Sequence, residues 1–209
     1  MRPRKRKIAR ATTTTDFRVD GLLLAGGLAR RFGVDKRRAR LGTETLAERS
    51  LALLRACVDG DIFIAGRGAF DHPVRAIFVA DAAPHAGPLG GIVGALARSR
   101  FGLVVMPCDA PLVRADTLAA VARMGRRRAR AVVVRSRRGV EPLVAFYPRS
   151  ALPLLAAALR EGNRAMHRVL PRLRAIEVEA GDARELHNVN RPGDLDLVTA
   201  WRARLEPEG

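Results

Sequence analysis

Gly26, Gly27, Arg31 and Lys36 stand close together in GLLLAGGLARRFGVDKRRARLG, which runs from Gly21 to Gly42. Adjacent glycines let backbone N–H groups turn toward an anion with no Cβ in the way. Arg31 and Lys36 are spaced to close over phosphates from the far side of the same loop, which also holds Gly33 and Asp35. The stretch packs six cationic side chains around one aspartate. The chemistry it suits is capture of a nucleotide triphosphate. It matches neither G-x-x-x-x-G-K-[ST] nor G-x-G-x-x-G, so a Walker loop and the dinucleotide fingerprint are excluded.

Three further stretches carry candidate chemistry. In PCDAP, Asp109 follows an apolar run between two prolines. A carboxylate there suits Mg²⁺, although a cap for the next helix would use the same residue. Asp81, after the preceding apolar run, has the same two readings. HAGPLGG (His85 to Gly91) places Gly87, Gly90 and Gly91 where a helix N-terminus can approach a ligand, and a tight turn explains it as well. In HNVNRPGDL, Asn188 and Asn190 lie two apart, so in an extended chain both amides face one side. Paired amide donors and acceptors suit a pterin or purine edge; turn and cap bonds to the backbone are the alternative. His167 and His187 stand alone. No metal-site cluster and no nucleophile set with a base is spaced for catalysis, so covalent catalysis is not indicated.

These residues need strand ends to hold them. Apolar runs at 21–25, 61–66, 74–80 and 101–107 read as strands, and the runs RAVVVRS, PLVAFYP and RAIEVE as three more. Helices are expected at Thr45 to Val58, Leu89 to Arg98, Asp116 to Met124, in SALPLLAAALREG, at Arg164 to Leu170 and at Pro192 to Ala203. Thr45 and Glu48 fit a capping box, with Leu46, Leu53, Leu54 and Cys57 on the inner face. Pro192 opens the last helix, with Asp194 and Asp196 in its first turn. Alternating β and α elements predict an α/β fold, a mainly parallel sheet with helices on both faces. In such sheets ligands bind beyond the C-terminal strand ends. Residues 26–36, 81–90, 108–111 and the segment around Glu141 therefore converge on one edge.

Composition bounds the rest. The chain has 209 residues, 48% of them hydrophobic but only 4% aromatic, which predicts one domain with an aliphatic core. Net charge is +17. A basic face invites nucleic acid, but the cations are spread evenly and almost all are arginine. No RNA-binding aromatic pattern, zinc finger or helix-turn-helix accompanies them. Nucleic acid is not expected as the main partner. Cys57 and Cys108 form no C-x-x-C pair and read as reduced cytosolic thiols. No apolar run reaches the ~20 residues of a membrane span, and the basic N-terminus lacks the apolar core of a signal peptide. The expected division is a disordered basic tail at 1–18 and one domain at 19–205, in the cytoplasm, with a docking arm for an acidic partner as the alternative for the tail.

LLLAGGLARRFGVDK, HAGPLGG, VVMPCDAPLV, EPLVAFY and HNVNRPGDL occur in the order and spacing of molybdenum cofactor guanylyltransferases, which the chain resembles from about Asp20 to Ala203. The resemblance implies a Rossmann-like three-layer sandwich. It also implies transfer of GMP from Mg-GTP to the terminal phosphate of molybdenum-loaded molybdopterin, with release of pyrophosphate. By the same resemblance Leu24, Ala25, Gly26 and Gly27 line the GTP site, with Gly87, Pro88 and Leu89 beside them. Arg31 and Lys36 hold phosphates, Asp81 meets the guanosine, Asp109 ligates Mg²⁺, and Asn188 and Asn190 face the pterin. Molybdoenzyme chaperones or other cofactor-synthesis proteins are the further partners implied. Related cytidylyltransferases have L-A-A-G at residues 24–27, so Gly26-Gly27 favours GTP. The chain departs from the pattern at Ala29, at Phe32, at Ala65, where an Asn often helps read the base, and at Glu141, where some relatives have His. A CTP-using or sugar-phosphate nucleotidyltransferase, a non-catalytic nucleotide-binding regulator and a basic nucleic-acid-binding protein are the competing readings.

Overall fold

The computed structural model describes residues 18–26, 35–66, 75–83 and 86–205. The strands are β1 (Asp20–Leu24), β2 (Arg40–Leu41), β3 (Glu44–Thr45), β4 (Ile62–Ala65), β5 (Ile77–Val79), β6 (Gly102–Pro107), β7 (Val132–Ser136), β8 (Gly139–Pro148) and β9 (Ile176–Glu179). The helices are α1 (Leu46–Cys57), α2 (Gly87–Arg98), α3 (Ala115–Arg128), α4 (Leu152–Arg160), α5 (Met166–Leu173) and α6 (Pro192–Leu205), with short 3₁₀ turns at Lys36–Arg38 and Arg149–Ala151.

Seven strands form one sheet in the order β5-β4-β1-β6-β8-β7-β9. β1 pairs in parallel with β4 and β6, and β4 and β7 pair in parallel with β5 and β9. β8 runs antiparallel to both its neighbours. The expected mainly parallel sheet is therefore present, with one reversed strand near its centre. Side-chain alternation divides the core. Leu23, Ile64, Val104 and Phe146 face α1 and α3, while Leu22, Phe63, Val105 and Tyr147 face α2, α4 and α5. Burying each such side chain contributes roughly 1.5–3 kcal/mol. The helix–sheet–helix layering is the expected three-layer sandwich. α6 instead packs over the end of the sheet, where Val198 meets Leu41, Leu46, Leu112 and Val189.

The Thr45–Glu48 capping box is formed in both directions. The inner face of α1 differs from expectation: Leu46, Ala47, Ser50, Leu51 and Leu54 are buried, and Leu53 and Cys57 lie at its margin. The β2–β3 hairpin is an addition; it turns at Gly42, whose φ of +66° suits glycine. α3 runs to Arg128 and not Met124, and ends on Ala129 in the left-handed conformation. α5 likewise starts and ends later than expected, closing on left-handed Arg174. No helix among the described residues is long and apolar enough to cross a membrane.

Candidate functional site

β1 ends at Leu24, and the chain leaves the sheet through Ala25 and Gly26. Leu24 and Ala25 are both buried. Their inner backbone groups are committed to the fold, since Ala25 N–H donates to the Ala65 carbonyl at 2.8 Å and Cys108 N–H donates to the Leu24 carbonyl at 3.1 Å. What reaches the edge is Gly26, which is exposed. Gly66 packs over this exit so tightly that a Cβ there would fall 2.8 Å from Ala25 backbone atoms. The strand end is thus held rigid by a neighbour that has to be glycine. The expectations for Gly27 and Arg31 lie outside the described residues.

The chain returns at Asp35. Its carboxylate accepts from Arg37 at Nε, at Nη2 (2.6 Å) and at the backbone N–H (3.0 Å). Those bonds hold the Asp35 carboxyl below the usual aspartate range. They also fix the turn that carries Lys36. Arg37 reaches toward the neighbouring loop closely enough to act on Cys108. Asp35 is thereby assigned a local task that sequence reasoning did not identify.

α2 begins beyond β5, at Gly87. Its N-terminus has no side-chain cap, Pro88 fills its first turn, and Gly87 adopts φ +61°. Asp81 is exposed above that turn. Ala82 N–H donates to the Gly90 carbonyl, and a Cβ on Gly91 would meet Ala65 Cβ at 2.7 Å and Asp81 Oδ1 at 3.6 Å. Gly90 and Gly91 therefore serve close approach of α2 to the sheet and to Asp81. Leu89, in contrast, is fully buried in the apolar core. Its side chain supports α2 from beneath, so any part Leu89 takes at the edge falls to its backbone.

Asp109 sits half-exposed beyond β6. Arg49 of α1 donates Nε to the Pro111 carbonyl at 2.7 Å and pins the loop. The Asp109 carbonyl accepts the Val189 N–H at 2.7 Å. That bond stitches the 188–190 segment to the loop. Val189 is buried; beside it, Asn188 Oδ1 is buried with no partner among the described residues, while Asn190 is exposed. Asp194, in the first turn of α6, accepts the Asn190 and Arg191 N–H groups at 2.7 and 2.8 Å. It acts as a clamp on the segment, beyond the dipole role read from sequence. Asn190 and Arg191 hold its carboxyl below the usual range. His187 packs edge-on against Trp201 at 5.1 Å, and its Nε2 is buried with no partner among the described residues.

Across from Asp81, the reversed β8 brings Glu141 to the same edge. Its Oε1 accepts the Leu143 N–H at 3.0 Å. Tyr147, fully buried, donates its hydroxyl to the Pro142 carbonyl at 2.6 Å and fixes the turn of chain beside it. Burial pushes the Glu141 carboxyl up; Leu143 N–H and His167 oppose this, and Asp109 adds to it. Asp109 and His167 each lie within electrostatic range of Glu141, a relation the sequence reading did not assemble. Among the described residues no cluster of three or more His, Cys, Asp or Glu could hold a metal.

The edge thus unites Gly26, the turn of Lys36, Asp81, the α2 N-terminus, Asp109, Glu141 and the Asn188–Asn190 segment. Known proteins resemble this chain in sequence and in fold. Residues 21–177 match the MobA-like NTP transferase domain. A probable molybdenum cofactor guanylyltransferase of Opitutus terrae is 35% identical over 187 residues, covering 84% of this chain and 92% of that protein. A molybdenum cofactor guanylyltransferase of Burkholderia lata is 36% identical over 186 residues, covering 82% and 91%. Among solved structures, the molybdopterin-guanine dinucleotide biosynthesis protein A of Archaeoglobus fulgidus superposes with a TM-score of 0.74 at 23% identity, covering 88% of this chain and 99% of that one.

Proposed function

This chain belongs to the MobA-like NTP transferase family, and from that premise we infer that it transfers GMP from GTP to the terminal phosphate of molybdopterin, releasing pyrophosphate. The observation that carries the reading is the 2.7 Å bond from Val189 N–H to the Asp109 carbonyl. It joins a carboxylate suited to a phosphate-bound cation to a segment suited to a heterocyclic edge, so both substrates meet at one point.

The reaction is an in-line displacement at the α-phosphorus of GTP. The attacking phosphate is already ionised at neutral pH, so no strong base is required, which fits an edge whose described residues include no nucleophile–base pair. What the protein contributes is position and compensating charge. Gly26 and the open α2 N-terminus offer N–H groups to the nucleotide. Gly27, Arg31 and Lys36 complete the phosphate side, and Asp81 holds the guanosine part. Asn188 and Asn190 face the pterin, with Asp194 keeping their backbone in place. Asp109, a half-exposed hard oxygen donor, fits Mg²⁺, which commonly takes one or two carboxylates and completes its shell with water and substrate phosphate. When bound, the cation neutralises charge on the phosphates as pyrophosphate leaves.

Pyrophosphate release from Mg-GTP and from Mg-CTP, each with and without molybdate-loaded molybdopterin, tests the reading. Release with GTP and pterin together is expected. Release with CTP in place of GTP would refute the base assignment, and no release with either would refute the reaction.

A further inference from the structure

The strand order sets the Asp109 loop near the middle of the C-terminal edge. β1, β4, β5 and the α2 N-terminus lie on one flank, and β8, β7 and α5 on the other. Asp81 and Gly26 belong to the first flank. If the reacting phosphates meet at Asp109, the nucleotide ring and the pterin ring extend in opposite directions, and the β8 flank is left to the pterin.

On that flank Glu141 and Asn188 offer acceptor oxygens, and His167 of α5 is the positive neighbour that acts on the Glu141 carboxyl. Glu141 arrives there because β8 reverses: the ladder of Leu103 with Tyr147 and Val105 with Ala145 carries residues 141–142 up beside the Asp109 loop. Leu143 N–H occupies one carboxyl oxygen at 3.0 Å. No other hydrogen bond to this carboxyl forms among the described residues, and it is not charge-paired at contact distance there. Asn188 Oδ1 is a second acceptor with no partner among the described residues, held close by the Val189–Asp109 bond. A half-buried carboxylate with an acceptor oxygen left open is costly to leave incomplete. A ligand edge rich in N–H groups would complete it.

A pterin supplies that edge. Its 2-amino group and N3–H lie side by side in one plane, and a carboxylate takes such a pair with two parallel bonds. We propose that Glu141 reads the 2-amino and N3–H edge of the pterin substrate and is the residue that sets specificity for a 2-amino-4-oxo ring. The inference rests on the GMP-transfer reading above. Guanine presents the same donor pair, so the test separates the two rings.

The test uses the full chain and two ring comparisons. Calorimetry compares 6-hydroxymethylpterin monophosphate with its lumazine counterpart, which carries oxygen in place of the 2-amino group. Steady-state kinetics with molybdopterin compares GTP with ITP, which lacks the same amino group on the purine. Wild type is expected to bind the pterin about tenfold or more tightly than the lumazine, because a site built to pair N–H groups rejects a ligand without them. Glu141→Gln keeps the acceptor for Leu143 N–H but presents an amide donor to the ring. It is expected to bring the pterin-to-lumazine ratio near one and leave the GTP-to-ITP ratio unchanged. A variant that keeps the pterin preference overturns the inference. A variant that loses the GTP preference instead assigns Glu141 to guanine and also overturns it. A wild type that transfers GMP but binds both rings alike sinks this inference alone, whereas a wild type that transfers no GMP sinks the reading beneath it.

Discussion

Gly91→Ala is the perturbation with the sharpest structural consequence. A Cβ on Gly91 would stand 2.7 Å from Ala65 Cβ and 3.2 Å from Leu24 Cδ2. Apolar carbons rest at about 3.5–4.0 Å, so α2 has to withdraw from the sheet by about 1 Å. Ile92 and Leu96, both fully buried, hold it there. Overpacking of this kind costs about 1–3 kcal/mol. The better helix propensity of alanine returns up to about 1 kcal/mol, which leaves a net cost of up to about 2 kcal/mol. For a chain of this size that is a fall in Tm of up to about 8 °C. The same displacement moves the Gly90 carbonyl, which accepts the Ala82 N–H beside Asp81. GTP affinity is therefore expected to fall more than the melting temperature alone accounts for. Thermal melts with and without GTP, together with a direct titration, provide the assay. A variant with wild-type Tm and wild-type GTP affinity would refute the described packing of α2 on β1 and β4.

Gly193→Ala is the contrasting change: Gly193 lies in α6 with nothing within 4 Å of an added Cβ, so thermal melts should show stabilisation of up to about 1 kcal/mol. Asp194→Ala removes the acceptor for two N–H groups and should cost about 1 kcal/mol, with KM for the pterin rising and KM for GTP steady. The folded Asp194 carboxyl titrates below the ordinary aspartate value of 3.8, so its stabilisation is complete above that value and is lost as pH falls through the lower folded one. Denaturant melts of wild type and Asp194→Ala should therefore converge in acid. Glu141→Gln should melt above wild type at pH 8. The folded Glu141 titrates above the ordinary glutamate value of 4.5, so wild type carries a burial penalty that grows as pH rises past 4.5 and vanishes below it. A melting advantage that persisted in acid would contradict that origin.

Much of the site was legible because its signals are local. Two glycines after an apolar run, an aspartate between prolines and an N-x-N segment are recognisable without knowing what packs where. The Thr45–Glu48 box was readable for the same reason, since it closes within one turn. The reversal of β8 was not. Two apolar runs separated by Arg137, Arg138 and Gly139 fit a hairpin or two strands with a crossover, and hydrophobic periodicity does not choose between them. Glu141 was undervalued as a result, because its nearness to Asp109 exists only through that reversal. Leu89 was assigned to the ligand edge because its neighbours in sequence are there; the turn of α2 sends its side chain the other way. Asp194 read as a dipole partner because the bonds it accepts come from residues just ahead of the helix, whose conformation is set by Val189 entering the core.

The central claim is that the Asp109 edge joins GMP to a pterin phosphate. The most direct test is GTP labelled at the α-phosphate, incubated with molybdate-loaded molybdopterin and Mg²⁺, with the label followed into a pterin-containing product. The account predicts label in that product with wild type. For Asp109→Ala it predicts a rate about 10²–10³ lower with GTP binding largely retained, the usual consequence of losing one charge-stabilising contact at a reacting centre. Near-normal transfer by Asp109→Ala, or wild-type label that leaves only as free GMP, would contradict it.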